Sequence, residues 1–244
     1  MNELVFEQPL NEKVRNYLRL EHLARQLDTH LHEDHQQRCF FPLFSLCELA
    51  ERCDFRGELL KDVDKLLGQF NDTTVQQPMS SHQQAFFLEQ LSLAREQLQQ
   101  PDRPGIQLKQ NRFIATVRQK LNLNGACCNF DLPQLHFWLA KPWMERQQEY
   151  QQWVEHFHCL LHPITLLLQL TRMSSDYQQA IAHAGFYHDS SPNNLSLVRV
   201  KLNAADGCYP TISGHRNRFA IHFVQFEQQK HSQQTVKFLL ATCS

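Results

Sequence analysis

The hydrophobic pattern of this chain changes period once. Up to Ser174-Ser175, apolar residues recur every three to four positions; beyond it they alternate every two. Leu10, Val14, Tyr17, Leu20, Ala24, Leu27 and Leu31 form one such stripe, which predicts a helix over 11–32. Further helices are expected over 42–53, 56–70, 80–100 and 108–121, and from 145 to about 172 with a kink or break at Pro163. Ser80 with Gln83, and Asp131 with Gln134, have capping-box spacing. After the switch, 195–202, 218–226 and 236–243 read as strands, and Gly185-Phe186-Tyr187 offers a fourth.

Helices followed by a block of strands define an α+β chain in two segregated parts. The expected organisation is a helical domain over 10–175, which would carry the dimer interface, and a mainly antiparallel β-domain over 176–244. Residues 1–9 hold a short β-prone run that fits the edge of that sheet. The 244 residues suit one large domain or two modest ones, and the change of period favours two.

Composition removes several function classes. The seven glycines include no G-x-G or G-K-[ST] arrangement, so phosphate-cradling loops are missing. Met1-Asn2-Glu3 opens without the basic and apolar regions of a secretory leader. The apolar run over 159–170 is interrupted by His162, Pro163 and Gln169. Of eight cysteines, the adjacent Cys127 and Cys128 are too close for an ordinary bridge, and the others sit in apolar patterns as reduced thiols do. A soluble cytoplasmic protein with no membrane segment and no cofactor is expected.

The residues suggest three chemistries. His30-x-His32-x-x-His35 beside Glu33 and Asp34, and His156-x-His158-x-x-x-His162, would suit a metal-dependent hydrolase if the chain bent to converge them. Solvated histidines on a helix end are the plainer reading. Cys127 or Cys128 with His136 would make a nucleophile–base pair only if the fold brought them together; small buried thiols in a turn are the alternative. No serine-hydrolase elbow occurs, since Ser213-Gly214 lacks the G-x-S-x-G frame.

The basic residues point elsewhere. The first hundred residues carry 10 Lys/Arg against 16 Asp/Glu, and the rest carry 14 against 9, so the net charge of −1 hides a basic second part. Arg15 and Arg19 are four apart on one helix, Arg112 and Arg118 share another, and His136 opens the next. Arg216 and Arg218 share a face if both lie in the strand. Guanidinium groups bind carboxylates bidentately, so such a set would hold an acidic peptide; intramolecular ion pairs would use the same residues. A nucleic-acid regulator fits the near-zero net charge poorly.

Three segments carry a resemblance. Val5-Phe6-Glu7-Gln8-Pro9-Leu10-Asn11-Glu12-Lys13-Val14-Arg15 with Tyr17-Leu18-Arg19 resembles the opening of the ZapD cell-division family. So do Cys127-Cys128-Asn129-Phe130-Asp131-Leu132-Pro133-Gln134-Leu135-His136-Phe137-Trp138-Leu139, and Tyr209-Pro210-Thr211-Ile212-Ser213-Gly214-His215-Arg216-Asn217-Arg218-Phe219-Ala220-Ile221. The similarity spans essentially the whole chain. It implies a non-enzymatic cytoplasmic homodimer at the mid-cell division site, neither a nucleic-acid nor a membrane binder. Its partner would be FtsZ, held by the C-terminal tail so that filaments are crosslinked into bundles in the Z-ring. Carried over by position, the binding residues would be Arg19, Arg112, His136 and Arg218, with Arg15, Arg118 and Arg216 as neighbours. One position departs: some relatives have arginine where this chain has His222. An imidazole is largely uncharged at pH 7 unless a carboxylate stands beside it.

Overall fold

The computed structural model describes residues 3–72, 79–100, 103–121 and 128–244. Cys127 lies outside them, so the Cys127 reading has no geometry to meet. The chain folds as two compact units, one made of 1–19 with 168–244 and the other of 20–167.

The expected helices form in the first part of the chain. α1 (Glu12–His32) is followed by a short 3₁₀ turn (Gln36–Cys39), α2 (Phe40–Arg52), α3 (Arg56–Asn71) and α4 (Ser81–Leu98). Ser80 caps α4 as its spacing predicts: the Gln83 N–H donates to Ser80 Oγ at 3.3 Å, and the Ser80 N–H donates to Gln83 Oε1 at 3.0 Å.

Three helix boundaries differ from expectation. The single helix over 108–121 is two, α5 (Ile106–Gln110) and α6 (Arg112–Leu121). Asn111 divides them because its Oδ1 accepts the Ile114 N–H at 3.1 Å and caps the second piece. α7 (Pro133–Leu139) starts one residue after the Asp131 cap that was expected: Leu132 occupies the N-cap without a side-chain bond, and Pro133 begins the helix. The last helical stretch is α8 (Trp143–Glu155) and α9 (His158–Met173), and Pro163 lies inside α9. The chain breaks instead beside Phe157, which is fully buried. Its ring occupies the space a side chain at Gly105 would need; a Cβ there would lie 2.4 Å from Phe157 Cζ, and Gly105 has φ +72°.

The core of the 20–167 unit is an aromatic stack. Phe40, Phe113, Trp138 and Trp153 have ring centroids 5.2–6.0 Å apart, and the buried Tyr150 hydroxyl donates to the Cys39 carbonyl at 3.0 Å. Arg146 is buried beside this stack. It donates to both oxygens of Asp34, at 2.9 and 2.5 Å, and its guanidinium lies 5.5 Å from the Trp138 and Trp143 ring centres. Burial of this charge is tolerable because it is paired and hydrogen-bonded.

The other unit is a sandwich of two antiparallel sheets. Its strands are β1 (Glu3–Pro9), β2 (Gln178–Ala182), β3 (Phe186–Ser190), β4 (Leu197–Asn203), β5 (Cys208–His215), β6 (Arg218–Gln225), β7 (Lys230–His231) and β8 (Val236–Cys243). Sheet A has the order β1-β4-β8-β2, so the opening strand takes an edge, as expected. Sheet B has the order β3-β6-β5, with β7 paired to β6. Val198, Val200, Phe238 and Leu240 of the first sheet meet Phe219, Ile221 and Phe223 of the second in one buried cluster. Phe219, Ile221 and Phe223 are the inward half of the alternation read from the sequence.

Candidate functional site

In an antiparallel sheet, directly paired residues point to the same face. β6 therefore sorts its neighbours. Phe219, Ile221 and Phe223 face the core, so Arg218, Ala220 and His222 face outward. Arg218 is paired with Ser190 on β3 and His215 on β5. Ala220 is paired with His188 and Ser213, and His222 with Phe186 and Thr211. Val224 is paired with His231 of β7. None of these outward positions is acidic.

The aromatic rings on this face touch in sequence. Phe186 stacks on His188 with centroids 5.6 Å apart and lies 4.7 Å from His222, which lies 4.9 Å from His231. Ala220, the smallest side chain in the row, lines a groove of about 880 Å³ with Ser213, His215, Arg218, His188 and Ser190. Asp189, one strand position from His188, also lines the groove; its carboxylate accepts the Tyr187 hydroxyl at 3.2 Å and the Ser190 N–H at 2.7 Å.

The turn from β5 to β6 is Arg216-Asn217. Arg216 has φ +57°, a left-handed conformation strained for a residue with a side chain, so it belongs to the turn and not to the strand. The expectation that Arg216 and Arg218 share a strand face fails for that reason. The turn also docks on the start of α1: the Arg216 N–H points at the Leu10 carbonyl at 3.5 Å, and a Cβ at Gly214 would lie 2.8 Å from Leu10 Cδ2. Just beyond, Arg15 donates to Glu12 at 3.1 Å, while Arg19 lies 3.5 Å from Asn16 Oδ1 and 3.9 Å from Glu12. These contacts are exposed and weak. Arg15, Arg19, Arg216 and Arg218 thus belong to one unit, and among the described residues neither Arg216 nor Arg218 forms an ion pair.

The other three candidates belong to the 20–167 unit. Arg112 is exposed at the start of α6, and His136 is exposed on α7, next to Phe137, which is itself 71% exposed. Their neighbours Phe113 and Trp138 pack 6.0 Å apart, so the two helices adjoin. Arg118 is different. It donates to both oxygens of Glu51, at 2.7 and 3.3 Å. This bond raises the Arg118 pKa and lowers that of Glu51. Arg118 thus makes the intramolecular ion pair that its residue type also allows.

The histidine cluster on α1 does not converge in full. The Nδ1 atoms of His30 and His35 are 2.8 Å apart, but His32 Nδ1 lies 2.8 Å from the Asp28 carbonyl. Burial, then the neighbouring His35, lowers the His30 pKa. His158 and His162 stack 5.4 Å apart, and His162 meets Gln97 and Gln90. Among the described residues no group of three histidine, cysteine or carboxylate side chains is arranged to hold a metal ion. No described helix is long and apolar enough to cross a membrane.

Sequence reasoning singled out Arg218 and His222 but missed His188, His215 and His231 beside them. The period-two placement of Phe186 and His188 was available from the fourth strand. Which strand lay next to it was not.

The chain is similar to known proteins along its full length. The model of a family described as ZapD, cell division protein, matches residues 18–222. A cell division protein ZapD of Shewanella oneidensis is 63% identical over 244 residues, covering 100% of both chains. Proteins of the same name from Vibrio atlanticus and Photobacterium profundum are 37% and 36% identical over 242 residues, covering 98% of each chain.

Proposed function

This chain belongs to the ZapD family of cell division proteins, and on that premise we propose that it crosslinks FtsZ filaments without catalysing a reaction. It works in the cytoplasm at the mid-cell division site, as a homodimer, and bundles filaments to promote Z-ring assembly. The observation that supports this reading most is the outer face of sheet B, where Arg218 and four imidazoles stand on outward positions that carry no carboxylate. An acidic tail segment laid along that face would supply the missing negative charge. Arg15, Arg19 and Arg216 extend the same unit's positive surface. Arg112 and His136 are proposed as further contacts on the helical unit. Arg118 joins them only where a tail carboxylate displaces Glu51.

A two-fold dimer presents two such surfaces, enough to hold two filaments. Each tail contact is modest, and many contacts along parallel filaments supply avidity. Charge pairs carry part of the binding, so salt weakens it.

Cosedimentation tests this directly. FtsZ polymerised with GTP should pellet with the protein most at low salt, and should stop doing so when its C-terminal tail is removed. The triple variant R19E/R112E/R218E should lose bundling while remaining folded. Unchanged pelleting by that variant would overturn the residue assignment, and undiminished pelleting of tail-less FtsZ would overturn the tail as the ligand.

A further inference from the structure

We propose that the outer face of sheet B binds acidic peptide in its protonated form, with His188, His215, His222 and His231 as binding residues that charge as the ligand arrives. The inference rests on the reading of this face as a tail-binding surface and adds what regulates it.

The strip has one permanent cation, Arg218, and four side chains whose charge depends on pH. Imidazole is the side chain that gains a proton between about pH 8 and 5. The geometry couples these groups to each other. His222 is the centre of the row, 4.9 Å from His231 on one side and 4.7 Å from Phe186 on the other. A peptide carboxylate over the row would favour the charged form of an imidazole beneath it, and the Phe186 ring lies within cation–π range of His222.

Binding and proton uptake therefore favour one another, and the coupling is reciprocal. The other charged groups near the row include the cations Arg218, Lys230 and Arg216, which a bound carboxylate also meets. β3 contributes His188 and Asp189, which also lines the groove and whose carboxylate is engaged by Tyr187 and Ser190. β5 contributes His215, β6 contributes Arg218, and β7 contributes His231 beside Lys230. Arg216 and Glu227 lie in the flanking turns.

The sign is fixed by the ligand. Asp and Glu side chains of a peptide stay ionised above about pH 5. Between pH 8 and 6 the ligand's charge is constant while the strip becomes positive, so affinity rises as pH falls.

The experiment measures fluorescence anisotropy of a labelled FtsZ tail peptide and of a labelled polyglutamate peptide, titrated with the full chain at pH 8, 7 and 6 and constant ionic strength. The expected result is an affinity about tenfold higher at pH 6 than at pH 8, from the uptake of one or more protons on binding. The variant H188Q/H222Q/H231Q should lose this slope, H222R should bind more tightly than the parent at pH 8 with a smaller slope, and H30Q, in the other unit, should keep the slope. Thermal melts of each variant check the fold; the gain expected for H222R does not depend on a disrupted variant.

An equal slope in the triple variant, or affinity independent of pH in the parent, would overturn the proposal while leaving tail binding intact. A histidine-dependent slope with polyglutamate, but no binding of the FtsZ tail, would support the strip and overturn FtsZ as its partner. No binding of either peptide at pH 6, or tighter binding of an oligonucleotide, would overturn both.

Discussion

The two sheets of the sandwich use their cations in opposite ways. On sheet A, the Glu7 carboxylate receives Arg172 at 2.7 Å and Arg199 at 3.0 Å, and Lys201 meets Glu3 at 2.8 Å. Arg199 also lies over the Tyr177 ring, 4.9 Å from its centre. Glu7, Arg172 and Arg199 are each less than 20% exposed at the side chain, so these charges are structural. On the outer face of sheet B, Arg218 and its imidazole neighbours have no carboxylate partner on the facing positions. Cation count does not separate the two surfaces. The difference is whether the register places an acid opposite the base, as Glu7 stands opposite Arg199.

The comparison breaks most sharply at Glu7. E7Q removes the carboxylate that the poorly exposed Arg172 and Arg199 share, and should destabilise the fold by about 3 kcal/mol, as when one partner of a buried ion pair is removed. Urea denaturation measures this, and a change below about 0.5 kcal/mol, typical of an ordinary surface substitution, would mean the sheet A ion pairs are not structural. R218E should do the reverse. Its stability should stay within about 0.5 kcal/mol of the parent, while affinity for the FtsZ tail peptide falls by about tenfold or more as a charge pair becomes a repulsion.

Acid separates fold from binding a second way. Burial, and then the charge of His158, lowers the His162 pKa below 6.5, and burial does the same to His30. These groups hold fewer protons folded than unfolded, so the stability they allow above pH 6.5 erodes as pH falls below it. Asp34 is held below 3.8 chiefly by its bond to Arg146, and Glu51 below 4.5 by Arg118, so their contribution is present above those values and is lost as pH falls further. Denaturation midpoints should therefore decline from pH 7 to 5 and again below about pH 4, over a range whose upper part strengthens peptide binding. A midpoint that rises from pH 7 to 5 would contradict the histidine assignment.

The smallest effect is expected at Arg118. Its pair with Glu51 is about one-third exposed on each side, so R118Q should cost about 0–1 kcal/mol of stability. Its effect on tail affinity should also be smaller than that of R218Q, because Glu51 already holds the guanidinium. Equal losses at the two positions would erase the distinction drawn between paired and unpaired arginines.

How much of this was legible depended on the range of the interaction. The change of period at Ser174-Ser175 revealed the fold class, and Ser80 with Gln83 capped its helix, because both are local. Asp131 with Gln134 has the same spacing and does not cap, since Pro133 starts the helix from Leu132. β5 escaped detection because Pro210 and Gly214 interrupt its pattern; both are tolerated in an edge strand. β2, only five residues long, opens on two glutamines. Pro163 did not break its helix, and the break fell where Phe157 fills the space beside Gly105. At the candidate surface, Arg218 and His222 were visible as residue types. That His188, His215 and His231 join them is a matter of strand order and register, which no run of neighbouring residues encodes.

The central claim is that the outer face of sheet B holds the acidic tail. It is tested most directly by recording amide NMR spectra of the isotopically labelled full chain while adding unlabelled FtsZ tail peptide at pH 6.5. The expected result is a set of shifts concentrated on β3, β5 and β6 around Ser190, His215, Arg218 and His222, with β1 and β4 of sheet A little changed. Saturable binding with shifts confined to other elements, leaving Arg218 and His222 unmoved, would contradict it.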